Sequence, residues 1–273
     1  MKTFRTSVLR LTTAAAITGM LSATAMAEAI KFQDLAIGST VTREGIDLGG
    51  VFSRDYFPVP DGEWTVISMK DDIIEKWGGS IGEMKFISLV LANKDKESNT
   101  PFFWVHFNPK TARIGIKFMP CENSKFAMVN DFKSQPSQFL YLCHFGYYLK
   151  GVNQKWVREV ANNDKSDVTI REVMSVVQKN PDLLPEPTNF VVSQFSARLS
   201  NEYITNWRVY VKSNDPTLTT KTFVPGEPNY EAAAQWSQKF GEGLGNFLKG
   251  DRVVLPTLTA WPMSSAVKSA GNN

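Results

Sequence analysis

Histidine and cysteine are scarce here, with two of each in 273 residues. A zinc centre built mainly from His106 and His144 is therefore hard to assemble. No HExxH run and no CxxC pair occurs, which removes the helix-borne metalloprotease and thioredoxin-like patterns. Neither GxxxxGK[ST] nor GxGxxG is present, so a glycine-rich phosphate cradle has no support. Beyond residue 27 no apolar run approaches the roughly 18 residues that would signal a membrane-spanning helix.

Charge of one sign is also lacking once the N-terminus is set aside. Lys2, Arg5 and Arg10 precede a short apolar stretch, Leu11 to Ala23, and Ala25-Met26-Ala27 supplies a small-x-small step. Together they form the pattern of a secretory signal peptide cut between Ala27 and Glu28. The apolar stretch, about 13 residues, is shorter than the roughly 20 of a comfortable membrane span. Removal of this leader leaves 27 basic against 27 acidic residues, a formal net charge of zero. Clustered positive charge drives nucleic-acid binding by counterion release, so the expectation is no nucleic-acid partner. An exported, periplasmic or secreted chain with no transmembrane span is expected.

Export puts Cys121 and Cys143 in an oxidising compartment, where an even count predicts one disulfide. The closed loop of about 22 residues would stabilise the fold by roughly 3 kcal/mol.

What the chain has in quantity is aromatic residues, including 18 Phe and 7 Trp. Pro58-Val59-Pro60-Asp61-Gly62 is a turn signal launching a strand over Trp64–Met69. Further strands are expected at Phe86–Leu91, Phe102–Phe107, Arg113–Met119, Phe139–Leu149, Phe190–Phe195 and Trp207–Val211, where apolar or aromatic residues alternate. Residues 28–56, punctuated by glycine, predict a loosely structured lead-in. The pair Trp104-Val105-His106-Phe107 and Trp207-Arg208-Val209-Tyr210 loosely echo each other, as an internal duplication would.

Two main helices are expected. Thr169-Ile170-Arg171-Glu172 fits a capping box, with Thr169 as N-cap, and Asn180-Pro181 stops that helix. The second runs from Tyr230 to Leu248 with Asn229 as cap and a stripe of Ala233, Trp236, Phe240, Leu244 and Phe247. Gly241 and Gly245 in it predict either a kink or a flat face for close approach. The expected fold class is α+β: an antiparallel sheet of six to eight strands in hairpins and meanders, with both helices packed on one side. Residues 28–273 are expected to form a single exported domain, with a soft boundary at 181–187.

The candidate functional residues follow from elimination. His106 is the candidate catalytic base, and a structural histidine is its plainer alternative. Asp71-Asp72 is a candidate carboxylate pair, read more simply as the start of a short helix whose dipole it complements. Asn162 to Asp167 faintly resembles a calcium loop, but Asp167 falls where the template needs Gly and Val173 where it needs Glu. Trp64, Trp104 and Trp207 are candidate binding residues, able to stack on a sugar or apolar ligand, with core packing as the alternative. No metal and no cofactor is expected.

The leading expectation is a non-enzymatic exported binding or envelope-associated protein, taking a small molecule, a glycan or an envelope protein. One alternative is an exported hydrolase using His106 or paired carboxylates. The other is an interaction subunit that offers the Trp236–Phe247 stripe to a partner.

Overall fold

The computed structural model describes residues 28–49, 56–76, 83–108, 128–133, 140–199, 203–213, 215, 218–251 and 253–256. The expected leader, Cys121 and the expected strand Arg113–Met119 lie outside the described residues. In chain order the strands are β1 (Ile30–Lys31), β2 (Thr40–Val41), β3 (Ile46–Asp47), β4 (Tyr56–Phe57), β5 (Trp64–Lys76), β6 (Glu83–Asn93), β7 (Phe102–Phe107), β8 (Met128–Lys133), β9 (Leu140–Val152), β10 (Thr188–Leu199) and β11 (Tyr203–Ser213). The helices are α1 (Gln154–Ala161), α2 (Val168–Lys179) and α3 (Pro228–Lys249).

The main sheet has eight strands in the order β2-β5-β6-β7-β11-β10-β9-β8, and every pairing in it is antiparallel. The fold class is α+β with an antiparallel sheet, as the alternating aromatic and β-branched runs predict. The segment 181–187 leads from α2 into β10, which lies beside β9 in that same sheet.

The helices do not share one side of the sheet. All six residues of β7 are buried, so both of its faces need cover. Phe103, Val105 and Phe107 face the core that holds Ala233, Trp236, Phe240 and Leu244 of α3. Phe102 and Trp104 face the core that holds Val157 of α1 with Val173, Met174 and Val177 of α2. The α3 stripe is thus buried against the chain's own sheet and offers no open face to a partner. Trp104 and Trp207 point to opposite faces, so the two Trp-led segments echo strand alternation and not equivalent positions.

Local chemistry explains the helix ends. Asp167, and not Thr169, caps α2: its side chain accepts from the backbone N–H groups of Thr169 and Ile170. Glu172 forms no capping box and instead pairs with Lys70 of β5 at 2.8 Å. Asn153 caps α1 in the same way, a helix of eight residues too short to announce itself by periodicity. Pro228 opens α3 after Glu227, so Asn229 is not its cap, and Gly250 closes it in the left-handed conformation. α3 runs unbroken through its glycines, with Gly241 and Gly245 buried. A Cβ on Gly243 would meet a Leu255 methyl at 3.0 Å, so close approach accounts for that glycine. Asp71-Asp72 lies within β5 and not at a helix start.

The glycine-rich lead-in is more ordered than expected. β1, β3 and β4 form a small second sheet on the α3 side. Its Phe57 stacks on Phe107 at 4.3 Å and on Trp207 at 5.2 Å between ring centres. The Tyr56 hydroxyl donates to the Val253 carbonyl and accepts from the Val253 N–H, clasping the chain beyond α3.

Candidate functional site

Register across the main sheet assembles polar residues that sequence order scatters. Ser88 of β6 lies opposite His106 of β7, and His106 lies opposite Asn206 of β11. Asn206 in turn lies opposite Ser196 of β10, and Ser196 opposite Cys143 of β9. These residues form one row across the face that α1 and α2 partly cover. Side chains alternate along strands, so Ser88, His106, Asn206 and Ser196 join the Trp104 side of the sheet.

The row is hydrogen-bonded and largely buried. The Trp104 indole N–H donates to Ser88 Oγ at 2.8 Å. Ser196 Oγ donates to Asn206 Oδ1 at 2.7 Å. The His106 ring meets Phe86 edge-on at 4.4 Å and Trp104 at 5.5 Å. Burial disfavours the imidazolium and lowers the His106 pKa from 6.5 to about 4. His106 is therefore a neutral imidazole near pH 7.

The next row carries a charge. Arg208 of β11 is 3% exposed, lies opposite Trp104 and Gln194, and sits over the Trp104 ring with its guanidinium carbon 5.9 Å from the centre. Its Nε and Nη2 donate to Gln194 Oε1 at 3.3 and 2.8 Å. Asp167, the α2 cap, has its Oδ1 3.8 Å from Nη2. Burial works to lower the Arg208 pKa, but Tyr210, Tyr147 and Asp167 outweigh it and raise the value, so the group stays charged. Tyr210, also buried, has its own pKa raised by that burial and stays neutral. The strand reading missed this group. The available signal was a single arginine inside the otherwise apolar Trp207–Val211 run, which is costly in a sheet centre unless paired.

His144 faces the other way. It lies on the α3 side of β9, fully buried, with its ring 4.6 Å from Phe195. Neither ring nitrogen has a hydrogen-bond partner, and Thr205 Oγ1, Trp207 Nε1 and Ser237 Oγ are likewise unpartnered among the described residues. Each such group costs about 1–3 kcal/mol of desolvation. Burial lowers the His144 pKa to about 3. The two histidines thus occupy opposite faces and do not act together.

The remaining candidates are core residues. Trp64 packs edge-on against Phe103 at 4.7 Å and donates to the Pro60 carbonyl at 2.8 Å. Trp207 lies between Phe57 and Phe103. Trp64, Trp104 and Trp207 are at most 2% exposed, so none presents an open stacking surface. Asp71 is exposed on β5. In the Asn162–Asp167 loop, Asp164 pairs with Arg171 at 2.9 Å while Asp167 serves as the cap, which is the polar-loop reading. Among the described residues no three His, Cys, Asp or Glu side chains cluster as a metal site would require.

One G-x-S-x-G spacing does occur, at Gly78-Gly79-Ser80-Ile81-Gly82. A nucleophile elbow needs a strand-to-helix turn. This run instead joins β5 to β6, two antiparallel neighbours, and itself lies outside the described residues. Comparison with family models, with curated proteins and with solved structures gave no match to this chain.

Proposed function

We propose that this chain is an exported, non-enzymatic binding protein of the cell envelope, with its ligand a small molecule held on the sheet face beside α2. The observation that carries the reading is the state of the two histidines: both are buried and held neutral, on opposite faces of the sheet. A hydrolytic base needs an open path to substrate and a positioned partner. A buried row of hydrogen-bonded polar groups beside a row that carries a charged guanidinium suits recognition better.

Export is supported by the basic residues, apolar stretch and small-x-small step of residues 1–27. Among the described residues no helix is long and apolar enough to cross a membrane. A Cys121–Cys143 disulfide belongs to the same proposal. It draws on the compartment and on the lack of a free cysteine among the described residues.

One observation favours the hydrolase as second reading: register sets Ser88 directly across from His106. Against it, Ser88 Oγ already accepts the Trp104 N–H, and Ser88 is 2% exposed. The two readings separate by native mass spectrometry of the mature chain recovered from its export compartment, run beside a panel of chromogenic esters and glycosides. The binding reading expects a retained small-molecule mass and no turnover. Turnover that disappears in both Ser88→Ala and His106→Asn would replace it with the hydrolase.

A further inference from the structure

We propose that Arg208 and the N-terminus of α2 together form a binding site for a small oxyanion of the carboxylate or phosphate class. The site deepens the binding reading above and rests on it.

Charge accounting at this point is lopsided. Arg208 is 97% removed from solvent, yet its Nη1 has no hydrogen-bond partner among the described residues. A buried cation with unused donors is costly unless an anion meets it. Among the described residues the carboxylate in reach is that of Asp167, at 3.8 Å, which is beyond hydrogen-bonding distance. That carboxylate is already engaged: Asp167 Oδ1 accepts the N–H groups of Thr169 at 3.0 Å and Ile170 at 3.1 Å. Gln194 and Tyr210 hydrogen-bond the guanidinium and Trp104 lies against it, all of them neutral groups.

The helix adds positive potential of its own. α2 runs 12 residues, and its cap Asp167 sets the partial positive charge of its N-terminus near Arg208, with Asp167 Oδ1 3.8 Å from Nη2. Two positive features therefore share one negative side chain. The side chain of Asp167 is 58% exposed, so this end of the site opens to solvent while Arg208 lies beneath it. An oxyanion reaching the guanidinium meets the unused Nη1 donors, since Nε and Nη2 are engaged by Gln194. Asp167 is its competitor. The neighbouring row contributes neutral donors and acceptors, Asn206 and Ser196 among them.

The test follows the unfolding midpoint of the full mature chain in sodium phosphate and in sodium acetate, against sodium chloride at matched ionic strength. The site predicts a saturable rise of about 2–4 °C in one of the two oxyanions. Phosphate alone acting assigns the phosphate class, and acetate alone or both acting assigns the carboxylate class. Asp167→Asn keeps a good cap while removing the competing charge, and is expected to lower the midpoint concentration of the anion at least fivefold. Arg208→Gln is expected to abolish the response. A response that survives Arg208→Gln overturns the proposal. So does the absence of any oxyanion response in Asp167→Asn, a variant whose fold does not depend on the arginine change. A retained ligand mass without an oxyanion response would leave the binding reading standing and remove this site.

Discussion

Acid should destabilise this protein through its two buried imidazoles, and removing His144 should remove a defined share of the effect. The folded-state pKa values, about 4 for His106 and about 3 for His144, lie below the ordinary value of 6.5. The unfolded chain therefore binds these protons first. Stability is intact above pH 6.5 and falls as pH drops below it, levelling only near the folded values. Each group contributes a slope of about 1.4 kcal/mol per pH unit, so by pH 5 each costs about 2 kcal/mol and the pair about 4 kcal/mol. Urea unfolding of the mature chain, followed by tryptophan fluorescence at pH 7.5 and pH 5.0, measures the difference. His144→Leu should lose about 2 kcal/mol less than wild type over that interval. At pH 7.5 it should be no less stable, since leucine leaves no ring nitrogen unpartnered in the core. Equal losses in both proteins would refute the reasoning, because His144 would then be protonated or solvated in the folded state.

Three further outcomes are expected. Tyr56→Phe deletes both hydrogen bonds to Val253 and should lower stability by about 1–3 kcal/mol in the same urea assay, with the chain beyond α3 cut faster by protease. Gly45→Ala should cost at least about 1 kcal/mol: Gly45 has φ 76°, and an added Cβ would sit 2.3 Å from the Phe57 carbonyl oxygen. Loss of its thermal-melt effect would point to a turn that rearranges freely. Reduction with dithiothreitol should lower stability by roughly 3 kcal/mol if Cys121 and Cys143 are joined, and Cys143→Ala should match the reduced protein. Unchanged unfolding on reduction would dismiss the disulfide.

Much of the sheet was legible because strand alternation is a local signal. Phe102–Phe107 is β7 to the residue; β10 and β11 extend the expected runs Phe190–Phe195 and Trp207–Val211 at both ends, and β9 carries the run Phe139–Leu149 on to Val152. The side on which helices pack was not legible from element order, although β7, apolar on both faces, carried the hint. α1 escaped notice because eight residues give barely two turns of periodicity. The cap of α2 shifted because Asp167 accepts the N–H groups of Thr169 and Ile170, which starts the helix two residues before a Thr169 cap would.

The candidate site was legible only in fragments. His106 stood out by rarity, but Ser88 and Asn206 lie opposite it, and Ser196 opposite Asn206, through register, which pairs His106 with a residue 100 positions away. Arg208 was visible as a charge inside an apolar strand. Its meaning depends on Asp167, a residue whose own local role is to cap a helix. Such pairings are set by tertiary packing, and no local pattern encodes them.

The central claim is that both histidines are buried, neutral groups and neither is a working base. The most direct test is an NMR titration of the two imidazoles in the folded mature chain, read from ring carbon and nitrogen shifts. The account predicts that both rings remain neutral down to about pH 5, with His106 titrating near 4 before His144. A ring that titrates near 6.5 in the folded protein would be solvent-open, and would return that histidine to the list of catalytic candidates.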